Sequence, residues 1–421
     1  KLSPEARTHY DVLLATGAKP RWSQEAPKGG ELKNLHRSML RSAVIVDALI
    51  GIGAKKPLRE PALTWVRQFD GRHDGLVVSV DIPSGLHAGT GRALGAAVKA
   101  DLVVTMAVAK GGLFLADGPS HWRELEVVDI GVPPKWIAQV RPQAMTLEDA
   151  DLNWLLPKRD DAGYKGTFGH LLVVAGSAGK GGAALLAAKA GLRSGAGLVT
   201  LATSGEIRAR IEGLLPDVMV EPVRGGAAEA ARVTKLLADK EAVAIGPGLG
   251  TNAADLDLVN RAIAASIGTV VLDADALRAL ARKPEIAVPA KGRLVLTPHP
   301  GEMGRLLDME TSAVQADRLG SARAAAEKYD AVVVLKGART LVVAPDGRWA
   351  IRNAPNAALA VAGSGDVLTG ILGSLAAQGL PPWQAACAAV LLHSRAGAVV
   401  RDQRGSRSSM ASDVVDAIGL A

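Results

Sequence analysis

Short, predominantly apolar runs, each followed by glycine or a polar side chain, recur along most of the chain. Residues 43–49, 76–80, 170–175, 198–202, 242–245, 270–272, 294–296 and 332–335 have this form. Runs of that length bounded by turn residues predict strands buried on both faces. Residues 183–194, 367–377 and 381–400 are apolar over longer stretches and predict helices, and residues 1–14 also follow a helical pattern. Strands alternating with helices predict mostly parallel sheets covered by helices, an α/β fold. The texture changes between Arg141 and Tyr164, where Pro142, Pro157, Glu148-Asp149 and the charged run 158–161 separate apolar segments. Two domains are therefore expected, residues 1–145 and 146–421, in keeping with a 421-residue chain that exceeds the usual single core.

The chemistry gathers where the predicted strands stop. Parallel α/β sheets bind ligands beyond the carboxyl ends of their strands. The run 43–49 carries Asp47 and leads to Gly51-Ile52-Gly53, and 76–80 leads to Asp81-Ile82-Pro83-Ser84-Gly85. Asp47 and Asp81 fit a ligand site or a turn-forming, helix-capping role equally well. Further on, strand ends are followed by the small-residue loop 176–182, Gly246-Pro247-Gly248-Leu249-Gly250, Asp273-Ala274-Asp275, Thr297-Pro298-His299-Pro300-Gly301-Glu302 and Lys336-Gly337. Ala362-Gly363-Ser364-Gly365-Asp366 then opens the helical stretch 367–377. Small residues let backbone close on a phosphate, a helix N-terminus supplies amide donors and positive dipole, and Asp366 adds one carboxylate: equipment for phosphoryl transfer. Neither a complete P-loop nor a dinucleotide GxGxxG string occurs.

Composition narrows the reading. Apolar residues make up 48% but aromatics only 3%, so cores must be built from Ala, Val, Leu and Ile, and base-stacking RNA surfaces are disfavoured. The formal charge of +7 suits an anionic substrate without selecting one. Cys387 is the only cysteine and sits in an apolar run, which excludes an internal disulfide and a thiolate metal cluster. Apolar runs are too short to span a bilayer, so a cytoplasmic protein without membrane or nucleic-acid partners is expected.

Gly246-Pro247-Gly248, Asp273-Ala274-Asp275, His299-Pro300-Gly301-Glu302, Lys336-Gly337 and Gly363-Ser364-Gly365-Asp366, in that order, make residues 167–400 resemble the ribokinase-like ADP- or ATP-dependent NAD(P)H-hydrate dehydratase family. Through the strings running from Asp47 to Gly53 and from Val80 to Gly85, the first segment resembles the NAD(P)H-hydrate epimerase domain. The resemblance implies a C-terminal ribokinase-like αβα sandwich preceded by a Rossmann-like αβα epimerase domain. It implies dehydration of the S-epimer of NADHX or NADPHX at the expense of ADP, with ATP as the other donor, and interconversion of the R and S hydrates. The epimerase family's Asn-Asn-Gly-Gly-Asp-Gly phosphate loop has no counterpart here, and residues 1–18 resemble the stretch on the C-terminal side of that loop. An incomplete epimerase domain, reduced in activity and exposing apolar surface, is the expectation.

Carried residue by residue, the resemblance makes Asp366 the catalytic base and puts Lys336, Gly337, Ala338, Arg339, Thr340 and Gly365 on the nucleotide. Ala183, Gly248, His299 and Asp366 fall to the hydrated cofactor. Mg²⁺ is expected through water on Asp273, Asp275 and Glu302. In the epimerase segment, Asp47 and Ser84 fall to K⁺, Asp81 to the reacting ring, and Gly51, Ile52, Gly53, Ala54, Lys55, Lys56 and Pro57 to the substrate. The residues alone leave other readings open: a solvent-reaching strand-end lysine for Lys336, a structural histidine for His299, helix caps for Asp275 and Asp366. A homo-oligomer is also expected. Two alternatives remain at this level: a small-molecule hydroxymethyl kinase of the same fold and a non-catalytic nucleotide-binding protein.

Overall fold

The computed structural model describes residues 4–19, 28–70, 75–140, 143–156, 158–224 and 227–421. Of the positions used above, Lys1, Arg141, Pro142 and Pro157 lie outside the described residues. The chain divides into two compact units, Lys1–Trp136 and Ile137–Ala421. The helical pattern of residues 1–14 becomes the helix Pro4–Ala15.

The smaller unit holds a four-stranded sheet of β1 (Val44–Asp47), β2 (Leu76–Val80), β3 (Ala100–Met106) and β4 (Trp122–Val128), all parallel and in chain order. One expectation fails here. The run 43–49 was expected to be buried on both faces, yet Val44 is 52% and Val46 59% exposed. Among the described residues β1 pairs only with β2, so it is an edge strand, and alternate side chains on one of its faces remain uncovered.

The larger unit is built on a ten-stranded sheet of β5 (Ala144–Thr146), β6 (His170–Val174), β7 (Leu198–Ser204), β8 (Met219–Arg224), β9 (Ala242–Ile245), β10 (Thr269–Leu272), β11 (Leu294–Leu296), β12 (Ala331–Leu335), β13 (Thr340–Val343) and β14 (Trp349–Arg352). Their order is β5-β14-β13-β12-β11-β10-β9-β6-β7-β8. Neighbours from β12 to β8 are parallel, and β13 runs antiparallel to β12 and β14. Because β5 pairs with β14, residues 144–146 belong to this unit, and the boundary read after residue 145 falls inside a strand. The chain leaves β6 for β7 and β8 on one side and resumes at β9 on the other. Successive crossovers thus depart in opposite directions, and the loops after β6 and β9 part to leave a crevice at the carboxyl edge.

The core is dense because its side chains are small. Ala184, Ala187, Ala188 and Ala190 of the helix Gly181–Arg193 are fully buried where it packs against the helix Ser364–Ala377. A Cβ on Gly370 would lie 2.1 Å from the Ala187 carbonyl oxygen, so only glycine permits this approach. No helix among the described residues is long and apolar enough to cross a membrane.

Candidate active site

Two cavities open at the carboxyl edge of the large sheet. The smaller, about 420 Å³, is lined by Lys180, Ala183, Gly248, Asp275, His299 and Asp366, with Arg278, Glu302 and Arg305 also on its wall. The larger, about 910 Å³, takes in Lys336, Gly337, Ala338, Thr340, Ser364 and Gly365, together with Asn356 and His393. His299 lines both, and the adjacent residues Gly365 and Asp366 face one each. The four residues expected at the hydrated cofactor therefore share one cavity, and five of the six expected at the nucleotide share the other. Arg339 does not line it; its Nε donates to Asn353 Oδ1 at 2.7 Å.

The loop that joins the cavities is the start of a helix. Gly363 has φ +89°, and a Cβ there would lie 2.6 Å from Leu186 Cδ1, so the left-handed turn and the packing both require glycine. The helix begins at Ser364 rather than Val367, which puts Gly365 and Asp366 in its first turn. Amides of that turn lack intrahelical acceptors and sit at the positive end of the dipole.

Beneath the turn lies an ion-pair network. Lys336 Nζ is 2.7 Å from Asp273 Oδ1 and 3.7 Å from Glu302 Oε2, and a Cβ on Gly365 would lie 3.2 Å from the same ammonium. Asp273 Oδ2 accepts from Thr369 Oγ1 at 2.8 Å, locking a carboxylate that is 1% exposed. Burial pulls the Lys336 pKa down, but Asp273 and Glu302 outweigh it and hold the ammonium above its ordinary value. Asp366 makes no such ion pair among the described residues. Burial first, and then the Asp273 charge, push its carboxyl up to about 6, with Lys336 opposing. A carboxylate poised there is suited to general-base work near neutral pH.

His299 caps the helix Pro300–Leu307. Its Nδ1 accepts from the Gly301 and Glu302 amides at 3.0 and 3.3 Å, while the His299 amide donates to Glu302 Oε2 at 2.9 Å. Burial lowers the ring's pKa. The imidazole is thus neutral with its hydrogen on Nε2, 3.5 Å from Glu302 Oε1. Capping and cavity-lining coexist in one side chain.

The motifs did not reveal Arg318 or His393. Arg318 Nη2 donates to the carbonyls of Leu335, Lys336 and Arg339 at 3.1, 3.2 and 3.3 Å, and Nη1 to Gln315 Oε1 at 3.1 Å, clamping the loop that carries Lys336. His393 Nε2 lies 3.1 Å from Ser364 Oγ, and burial brings its pKa down to about 4, so the ring is neutral. The available signal for His393 was a histidine set in an otherwise apolar helix.

For magnesium, the expected carboxylates are already engaged. Asp273 is held by Lys336 and Thr369; Asp275 Oδ2 accepts from the Gly250 amide at 2.9 Å and from Lys180 Nζ at 3.3 Å; Glu302 closes the cap of His299. Among the described residues no group of three or more His, Cys, Asp or Glu is arranged to hold a metal ion. Direct ligation would break these bonds, whereas an ion held through water and ligand phosphate fits them.

In the smaller unit, Asp47 and Ser84 come together. Asp47, 0% exposed, accepts from Ser79 Oγ and the Ser84 amide at 2.8 Å each through Oδ2, while Oδ1 has only a long 3.5 Å contact from the Leu49 amide. Ser84 Oγ accepts from the Ile50 amide at 2.9 Å and lies 3.2 Å from the Ile50 carbonyl. A buried carboxylate with no cationic side chain bonded to it among the described residues, beside a hydroxyl and a carbonyl oxygen, fits a hard monovalent cation. Asp81 follows β2 with φ +70°, and its Oδ1 accepts from Thr105 Oγ1, the Met106 amide and Lys110 Nζ. Burial raises the Asp81 pKa, but Lys110 and the Met106 amide outweigh it and hold the carboxylate below its ordinary value. Gly51, Ile52, Gly53, Lys55, Lys56 and Pro57 are exposed and Ala54 half-buried, and no hydrogen bond links this loop to Asp81 among the described residues.

Residues 171–419 match the NAD(P)H-hydrate dehydratase family, and residues 1–112 match YjeF-related protein N-termini. The bifunctional NAD(P)H-hydrate repair enzyme Nnr of Moorella thermoacetica is 40% identical over 418 residues, covering 98% of this chain and 78% of that protein. The Escherichia coli enzyme of the same description is 35% identical, over 88% of this chain and 73% of its own. Among solved structures, the ADP/ATP-dependent NAD(P)H-hydrate dehydratase of Bacillus subtilis, co-crystallised with ATP and Mg²⁺, aligns with a TM-score of 0.56 at 29% identity, over 65% of this chain and 96% of its own. A ribokinase-like superfamily protein of Enterococcus faecalis aligns at 0.60 and 24% identity, over 66% of this chain and 95% of its own, and shares the fold. The larger unit has a ribokinase-like fold, and the chain belongs to the bifunctional NAD(P)H-hydrate repair enzyme family.

Proposed function

We propose that the larger unit restores NADH or NADPH from the S-epimer of the C6-hydrated cofactor, using ADP as phosphoryl donor and releasing AMP and phosphate. The smaller unit interconverts the R and S hydrates, so that both epimers drain into repair. The observation carrying the first reading is the loop of Gly365 and Asp366, which lines one cavity with Asp366 and the adjoining cavity with Gly365.

The hydrated ring occupies the smaller cavity with Ala183, Gly248 and His299, its hydroxyl toward Asp366. ADP occupies the larger, along Lys336, Gly337, Ala338, Thr340 and Gly365. Hydroxide is a poor leaving group and phosphate a good one. Asp366 takes the hydroxyl proton as that oxygen attacks the terminal phosphorus, and AMP departs. Lys336 and the first-turn amides stabilise charge spread over the phosphoryl oxygens. The ring nitrogen's lone pair then expels phosphate, and loss of a proton from the neighbouring ring carbon restores the dihydronicotinamide. Asp273, Asp275 and Glu302 would hold Mg²⁺ through water, and the ion supplies charge neutralisation on the phosphates.

For epimerisation, Asp81, kept ionised by Lys110, takes the C6 hydroxyl proton as the bond from C6 to the ring nitrogen opens and leaves an aldehyde, passes that proton to the freed nitrogen, and reverses both transfers when the nitrogen re-adds to either face. Asp47 and Ser84 would hold K⁺, which supplies a fixed positive charge. A homo-oligomeric state belongs to the same reading and is measured by sedimentation velocity.

The test is recovery of dihydronicotinamide absorbance from mixed hydrate epimers with Mg²⁺ and ADP, ATP or no nucleotide. Recovery dependent on nucleotide, faster with ADP, is expected. A rapid phase that halts at one epimer's share would remove the epimerase half of the proposal, and no recovery with either nucleotide would remove the rest.

A further inference from the structure

We infer that the Asn356 side-chain amide nitrogen reads the base of the bound nucleotide by donating to a purine ring nitrogen. The inference rests on the reading that the 910 Å³ cavity takes the nucleotide. Asn356 Oδ1 accepts from the Ala358 amide at 3.0 Å and caps the short 3-10 helix Ala357–Leu359. Only the oxygen of a carboxamide can meet a backbone N–H, so this bond fixes which end of the side chain is which. Nδ2 is left buried with no hydrogen-bond partner, one of two such side-chain atoms among the described residues. The other, Thr203 Oγ1, lines neither cavity, whereas Asn356 lines the larger one.

A buried amide nitrogen whose hydrogen bonds are unmade is costly unless a ligand completes it. The neighbouring wall indicates which ligand group does so. The segment bearing Asn356 continues with Ala357, Leu359, Ala360 and Val361, which line the same cavity with Leu368 and Val390. Those side chains offer apolar surface to the faces of a flat ring and nothing to an anion. Anionic oxygens have their own equipment in Lys336, Ser364 and Gly365. A base presents neutral ring nitrogens as acceptors in its plane, which is the chemistry an uncharged donor beside an apolar wall recognises.

Two variants separate this role from the cap. Asn356→Asp keeps an oxygen for the Ala358 amide but replaces the donor with an acceptor, and Asn356→Ala removes both. ADP binding measured calorimetrically should weaken roughly 5- to 10-fold in Asn356→Ala and further in Asn356→Asp. Competition by inorganic tripolyphosphate should be unchanged in Asn356→Ala. Wild-type affinity in Asn356→Asp beside weakened Asn356→Ala would reduce the residue to a cap and overturn the inference. Equal loss of ADP and tripolyphosphate in Asn356→Ala would put the donor on phosphate and overturn the base assignment. A wild-type protein that binds no ADP would remove the nucleotide reading of the cavity and this inference with it.

Discussion

Asp366 in the larger unit and Asp81 in the smaller are both half-buried aspartates assigned proton transfer, and their surroundings drive them in opposite directions. Around Asp366, burial and the Asp273 charge dominate, and Lys336 is already committed to Asp273 and Glu302, so the carboxyl rises to about 6. Around Asp81, Lys110 bonds directly to the carboxylate, which stays below its ordinary value in spite of burial. The difference lies in where the nearest lysine makes its bonds. A cation paired elsewhere leaves an aspartate able to hold and release a proton near neutrality, and a cation paired with it fixes the anion.

The strongest test of the contrast removes the raised carboxylate. Asp366→Asn should cost about 10²- to 10⁴-fold in dehydratase turnover while ADP binding and epimer exchange stay near wild type. Near-normal turnover would reject Asp366 as the base. Next comes pH. Asp366 acts as a base only when ionised, so dehydration should fall as pH drops through about 6. Asp81 has its pKa lowered, so epimer exchange should keep its carboxylate well below that point. Rates of both reactions from one preparation, measured between pH 5 and 8, decide whether the acid limbs separate (roughly the range in which a carboxyl near 6 titrates). Lys110→Met sharpens the comparison further. It leaves only the Met106 amide and the Thr105 hydroxyl to oppose burial at Asp81, so the acid limb of epimer exchange should move upward toward that of dehydration, with dehydration itself unaffected.

Much of this architecture is legible in the chain because glycine and polar residues end each apolar run, and those ends are where a parallel sheet gathers its ligands. Gly248, His299, Lys336 and Gly337 were read that way, whereas Ala183, Ala338 and Thr340 came from the family resemblance. The burial of β1 was misread because an apolar run carries no sign of how many neighbours its strand will have; Val44 and Val46 lie on an edge. The helix start at Ser364 was missed because it depends on the left-handed Gly363, which has no side-chain cap. Pairings that set the chemistry are long-range. Thr369 reaches Asp273 across 96 positions and Lys110 reaches Asp81 across 29, and no local pattern encodes such distances.

Arg318 gives the smallest and most specific expectation, because it touches neither cavity's motif side chains and acts through three backbone carbonyls. Its guanidinium Nη2 spans the carbonyls of Leu335, Lys336 and Arg339, so the strand end and the turn carrying Lys336 are tied to one planar group. A lysine delivers a point charge with rotatable donors and cannot hold Gln315 and these carbonyls together in one plane. Arg318→Lys should therefore raise the Michaelis constant for ADP roughly 5-fold, with a smaller effect on turnover and none on epimer exchange. If turnover falls with the Michaelis constant unchanged, the clamp governs the Lys336–Asp273 pair and hence the setting of Asp366 rather than nucleotide binding. The acid limb of dehydration would then shift as well. That outcome would extend the contrast between the two aspartates to a residue that contacts neither of them.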